Sequence, residues 1–251
     1  MSPTSQPSGP GAPGSPGSPG SDSTTVQDYV KVIYSATEWQ DKPVTMSALA
    51  ARLQVANSSV TEMVRKLVGL GLARHEPYSP VELTPSGLRL ALSMVRRHRL
   101  LETYLVWELG YGWDEVHDEA ELLEHTVSDM LIERMSQRLG HPVRDPHGDP
   151  IPAADGTVQQ PDAHLIGLLD DGHRGTVARI SDANPDLLRY LDSEQLKLDT
   201  AVEVVGHKPF GGALTVRVGS DPGREIDLGD ESAAAVWVST VGSHPGCNLE
   251  Q

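Results

Sequence analysis

Cysteine is almost absent from this 251-residue chain: Cys247 stands alone near the C-terminus. One thiol excludes an intramolecular disulfide framework and a cysteine-rich zinc site. No apolar run reaches the length of a membrane span, and the first residues lack the basic start and apolar stretch of a secretory signal. A cytoplasmic protein without a membrane partner is therefore expected. Also missing are a His-Glu-x-x-His run, a nucleophile elbow and a phosphate loop, so nothing marks a hydrolase or other enzyme. Positive charge is short as well, with 20 Lys and Arg against 35 Asp and Glu, and a net of -15 taken alone speaks against nucleic acid.

The distribution of that charge speaks differently. Between Met46 and Leu100 eight Lys or Arg face three Glu, a net of +5, which leaves -20 for the remainder of the chain. A local basic face is what a DNA contact requires. Residues 1–23 hold 5 Gly, 6 Pro and 7 Ser, so 18 of 23 positions cannot contribute to a core, and a disordered tail is expected. From Thr25 onward Val26, Tyr29, Val30, Ile33 and Tyr34 mark the apolar face of a helix. A short helix over Thr45 to Leu53, a turn, and a helix from an Asn57 N-cap to Leu70 make a helix-turn-helix, with Val60, Met63, Val64 and Leu67 buried. Residues 72–83 read as two extended runs about a Pro-containing turn, the wing of a winged helix. On the recognition helix Asn57, Ser58, Ser59, Thr61 and Glu62 are placed to reach bases or phosphates, and Arg65 and Lys66 the backbone of double-stranded DNA.

A helix from Ser86 to about Glu108 and another from Trp113 to about Leu139 follow, separated by Gly110 and Gly112. Leu100, Leu101, Tyr104, Leu105, Trp107, Leu122, Leu123, Val127, Met130, Leu131 and Met135 exceed the needs of one small layer, so part of this surface is expected to face a second copy. Here too lies a ladder of ligand-type side chains. His117, Glu121, Glu124 and His125 share helical spacing, and His98 and Glu102 form a second pair four apart. Such runs usually form a solvated face, but these six are flanked by apolar residues and carry oxygen and imidazole donors, which suit Mn(II) or Fe(II). Residues 141–168 read as a Pro-rich linker, and the two-residue rhythm of 175–180, 201–205, 212–218 and 233–238 predicts a small β-barrel with a helical turn at Pro185 to Leu191.

The stretch Asn57 to Leu67, the run Arg97 to Glu102, the run Val116 to His125 and the Pro150-Ile151-Pro152 linker occur in an order that resembles the diphtheria-toxin-repressor family of metal-dependent transcriptional regulators, over roughly Thr24 to Val238. The resemblance implies a mainly α protein with a small β domain. Its parts are an N-terminal winged helix-turn-helix (24–92), a helical dimerisation and metal-binding domain (93–140), an SH3-like, FeoA-like β-barrel (169–240) and a tail (241–251). Carried onto this chain, one metal site uses Asp28, Glu121, Glu124 and His125. The other uses His98, Glu102 and His117, with Asp186 or Asp182 added from the SH3-like domain. Iron-dependent members commonly place a sulfur residue where Asp28 and Glu121 stand, so the hard carboxylates here point to the manganese-responsive branch. Lys31 stands where some manganese members carry a glutamate, which argues against a closely spaced metal pair. The function implied is a repressor that binds palindromic operators of metal homeostasis or transport genes as a homodimer, with Mn(II) as corepressor. An Fe(II)-dependent repressor is the alternative, and a metal-dependent hydrolase a more distant one. A metal joining Asp28 to the dimerisation helix would pin the DNA-binding domain and set the spacing of two recognition helices.

Overall fold

The computed structural model of the chain describes residues 23–39, 43–210, 212–219 and 222–240. The expected tails, 1–22 and 241–251, lie outside them. Two compact units are present, divided between Ala91 and Leu92 within one long helix. Among the described residues no helix is long and apolar enough to cross a membrane.

In the first unit, α1 (Thr24–Glu38) starts where the Ser23 side chain accepts from the Val26 N–H, and buries Val26, Tyr29, Val30 and Ile33. Helix α2 (Met46–Arg52) is capped by Thr45, whose hydroxyl accepts from Ala48 N–H. Helix α3 (Asn57–Gly69) begins one residue earlier than an Asn57 cap requires. Ala56 holds the N-cap position, without a side-chain bond. Val60, Val64 and Leu67 are fully inside and Met63 only partly, because the core of this unit is closed by Leu72, Ala73 and Val81 from the wing. That wing is an antiparallel pair, β1 (Ala73–Arg74) with β2 (Glu82–Leu83).

Helix α4 (Pro85–Leu109) runs from the first unit into the second, where α5 (Val116–Leu123) and α6 (Asp129–Arg138) follow. The single helix expected from Trp113 to Leu139 is thus broken. Thr126 donates its hydroxyl to Leu123 O, and Ser128 caps α6 by accepting from Leu131 N–H, so local side-chain bonds favour a turn at 124–128 over a continuous helix. Leu100 and Leu101 are core residues with Ala120, Ile132 and Ile151, whereas Trp107, Leu122, Met130 and Leu131 remain exposed, Leu122 and Met130 at 73%.

The β portion contains β3 (His164–Leu165), a 3-10 turn, β4 (Arg174–Ile180), α7 (Pro185–Ser193), β5 (Ala201–His207), β6 (Leu214–Val218), β7 (Arg224–Leu228), α8 (Asp230–Ala233) and β8 (Val236–Thr240). All pairs are antiparallel, in the order β3-β8-β4-β5-β6-β7. This is an open sheet, not the closed barrel expected, since the short β3 and β7 are edges that do not pair with each other. Strand β7 escaped the sequence reading, and α8 takes the residues just before β8.

Residues 141–152 are no bare spacer. Asp145, His147, Asp149 and Ile151 are buried, and one Asp145 oxygen accepts the backbone N–H groups of His147 (2.8 Å) and Asp149 (2.9 Å). The loop docks on β4, where Ile180 N–H donates to His147 O at 2.9 Å. Gly148 makes that contact possible: its φ is +94°, and a Cβ there would stand 2.1 Å from Ala178 O. Gly148→Ala is expected to cost about 2–4 kcal/mol through strain and overpacking. Urea denaturation measures it, and a variant as stable as the parent would contradict the close approach.

Candidate metal centre

Helix α4 places His98 and Glu102 one turn apart and buries both, with Nε2 of His98 at 2.9 Å from Glu102 Oε1. From α5, His117 Nδ1 approaches Glu102 Oε1 and His98 Nε2, each at 3.2 Å. The pairs 98 with 124 and 102 with 117 run in opposite senses, so α5 lies antiparallel to α4. Glu124, fully buried just past α5, sets an oxygen 2.7 Å from Nδ1 of His98. Glu121 Oε1 lies 3.7 Å from His117 Nε2 and 4.0 Å from His98 Nδ1. The His125 ring reaches Glu124 at 3.4 Å. Two further segments converge on the same place. Asp182, just after β4, is 3.3 Å from His117 Nδ1, and His147 Nδ1 is 4.0 Å from the second oxygen of Glu102.

Donor atoms fall within 4.8 Å of one another in three overlapping sets of this unit: His98, Glu102 and His117; His98, Glu121 and Glu124; Glu102, His147 and Asp182. Burial alone would raise the Glu102 carboxyl, yet the facing His98 and His117 rings outweigh it and hold it well below the usual carboxylate range. Asp182 is likewise pulled down against burial, chiefly by His117. Burial pulls the His117 imidazole downward, but Asp182 and Glu102 overcome this and push it up to about 11. Protons thus sit on imidazole between carboxylates, occupying positions where a dication would satisfy the same charges.

His147 tests that fit. Its Nε2 is 2.6 Å from Trp113 O and so donates to it, which leaves Nδ1 as the ring nitrogen that a cation could take once any proton there is displaced. That Nδ1 is buried without a hydrogen-bond partner among the described residues, facing Glu102 and Asp182. A buried nitrogen placed in this way beside two carboxylates fits a ligand to a cation. The donors brought together are imidazole and carboxylate with no cysteine thiol among them, which suits manganese or iron.

Of the residues expected at the centre, His98, Glu102, His117, Glu121, Glu124 and His125 come together, and Asp182 joins them. Asp186 does not. The Asn184 side chain accepts from Asp186 N–H and caps α7, leaving the Asp186 carboxylate 89% exposed and paired with Arg189. Asp28 stands half-buried on α1 in the first unit. His147 was overlooked because its segment reads as a linker; the one available signal was its place beside the Pro-Ile-Pro run. In the first unit Asn57, Ser58, Ser59, Glu62, Arg65 and Lys66 line the exposed face of α3, opposite its core stripe. Thr61 is half-buried, and its hydroxyl donates to Asn57 O at 2.8 Å.

Residues 23–81 match the family described as iron dependent repressor, N-terminal DNA binding domain; 84–153 match its metal binding and dimerisation domain; 166–240 match the FeoA domain. The iron-dependent repressor IdeR of Mycobacterium tuberculosis is 31% identical over 230 residues, 86% of this chain and 97% of that one. The diphtheria toxin repressor of Corynebacterium efficiens is 29% identical, over 86% of this chain and 96% of its own. A solved structure titled as a manganese-dependent transcriptional repressor in complex with manganese is 52% identical, with a TM-score of 0.82, covering 86% of this chain and 99% of the other.

Because His117 holds its proton up to a pKa of about 11, a metal taking that nitrogen must displace it near neutral pH. Metal affinity is expected to rise with pH by about tenfold per unit for each proton released. Calorimetry with manganese in two buffers of different ionisation enthalpy reads the proton count, and heats independent of buffer would contradict the ion-paired resting state.

Proposed function

The chain belongs to the diphtheria-toxin-repressor family of iron-dependent repressors, metal-dependent DNA-binding regulators and not enzymes, and we propose that its own corepressor is Mn(II). In this reading a cytoplasmic homodimer binds palindromic operators of metal homeostasis genes. The observation that carries the metal assignment is the donor set: carboxylates and imidazoles without a thiol, Glu121 included. Hard oxygen donors favour manganese over softer competitors. The 52% identical repressor whose title names manganese supports the same choice, while the iron-dependent name of the 31% identical relatives keeps Fe(II) as the second reading.

One site would draw on Asp28, Glu121, Glu124 and His125, and the other on His98, Glu102, His117, His147 and Asp182. A bound dication supplies positive charge that replaces the resting protons and holds donors from several segments together. Asp28 belongs to the DNA-binding unit and its co-ligands to the other, so a shared ion would couple metal occupancy to the placing of α3. Around it the chain's own groups orient the ligands. His98 donates to Glu124 through Nδ1 and so fixes that carboxylate, as outer partners commonly do at metal sites. The exposed Trp107, Leu122, Met130 and Leu131 offer the apolar face a second copy would cover.

Binding duplexes selected from a random-sequence pool in the presence of manganese are expected to contain an inverted repeat. Chelation should weaken their affinity by about 5- to 150-fold, measured by fluorescence anisotropy. Equal affinity with and without metal would sink the reading. Ferrous iron acting anaerobically at a lower free concentration than manganese would move it to the iron alternative. Glu121→Ala is expected to lose one manganese equivalent and most of the metal-dependent gain in DNA affinity.

A further inference from the structure

Between α5 and α6 lies a turn over residues 124–128, and two of them, Glu124 and His125, are donors of the proposed metal site. Past Leu123 the last N–H groups still bond back, Glu124 to Ala120 O and Val127 to Leu123 O, but the Glu124 and Val127 carbonyls meet a side chain. Arg97, on α4 beside His98, donates from Nη1 to Val127 O at 2.7 Å and to Glu124 O at 3.4 Å. Its Nη2 pairs with Asp129 in the first turn of α6. The guanidinium is mostly covered, its side chain 21% exposed. One planar group therefore fastens the donor-bearing turn at two carbonyls, to the helix that carries His98 and Glu102, and to the start of the next helix.

We propose that Arg97 is the positioning residue of this metal-binding turn: it never touches the ion, and it holds the backbone that presents Glu124 and His125 in the geometry a metal needs. The fork geometry of a guanidinium matters here, because a lysine ammonium is a point charge that cannot span two carbonyls and a carboxylate in one plane. Loss of the clamp leaves the turn free to fluctuate, and every ligand it carries then costs ordering entropy when a metal binds. The sign of the effect separates this role from electrostatics. Removing a cation near a dication site by itself tightens metal binding, whereas loss of the clamp loosens it.

The proposal rests on the metal reading above, and the experiment separates the two. Manganese binding to the full chain is followed by the disappearance of the free-ion electron paramagnetic resonance signal, with Glu121→Ala marking which equivalent belongs to the turn. Arg97→Ala is expected to weaken that equivalent by about 10- to 100-fold, leaving the other near its parent affinity, and Arg97→Lys to restore it only in part. An unchanged or tighter equivalent in Arg97→Ala, equal weakening of both equivalents, or full restoration by Arg97→Lys overturns the clamp while the metal reading stands. If Arg97→Ala fails to fold by circular dichroism, Arg97→Lys decides alone, and parent-like affinity there overturns the proposal. Should Glu121→Ala remove no equivalent at all, the metal reading falls and the proposal with it.

Discussion

A buried imidazole between two buried carboxylates is the constraint on which the second unit is built. Glu102 and Glu124 are 1% and 0% exposed, and a carboxylate without water is costly unless charge and hydrogen bonds meet it. His98 meets both, one nitrogen for each. That arrangement requires α5 to lie antiparallel against α4, because only then do residues 117 and 124 fall beside 102 and 98. It is completed by the turn after Leu123, where Thr126, Ser128 and Arg97 add side-chain bonds to the last helical ones. The same demand extends to two loops of this unit, since His147 faces the second oxygen of Glu102 and Asp182 shares His117 Nδ1 with the first.

Four segments distant in sequence thus share one set of charges: α4, the end of α5, the loop at 145–149 and the residues after β4. Behind them a second polar layer fixes the loop. Arg99 donates to Pro150 O at 2.6 Å, and Asp149 receives both Arg99 and, at 2.7 Å, Arg179, whose guanidinium lies 4.2 Å over Trp237. Burial, with the Asp149 charge beside it, lifts the Asp145 carboxyl to about 7, so this layer holds its charges reluctantly and depends on its neighbours. Occupancy of the centre is therefore felt by all four segments at once, which a loop-borne surface site would not achieve.

Local signals were legible in the chain, and non-local ones were not. The helix-turn-helix, its caps at Thr45 and its stripe of Val60, Val64 and Leu67 follow from periodicity and short-range bonds, so reading them needs no knowledge of what packs where. His98, Glu102, His117 and Glu124 could be found because helical spacing puts them on facing stripes. The choice between Asp182 and Asp186 depended on which way a loop turns before α7, and an Asn184 cap decided it. His147 lay hidden in a Pro- and Gly-rich run whose composition suggests a spacer, although tertiary docking on β4 buries it. The edge strand β7 does alternate, with Ile226 and Leu228 buried between exposed residues, but over too short a run to stand out from the turns around it. Closure of a barrel is likewise a matter of edges meeting in space, which no period in the sequence records.

The charge ledger limits how metal and DNA can act on one another. Outside residues 46–100 the chain carries -20, and inside them +5. Each dication that displaces a proton adds only about one net charge, a small fraction of that imbalance, so neutralisation alone does not turn an acidic chain into a DNA-binding one. Arg65 and Lys66 are already exposed on α3 beside Ser58 and Ser59. What remains for the metal is position. A dimer reads two half-sites only when its two recognition helices stand at the spacing of successive major grooves. The coupling then scales with how firmly the donor-bearing segments are held, and the buried His98, Glu102 and Glu124 array is the part of the chain that holds them.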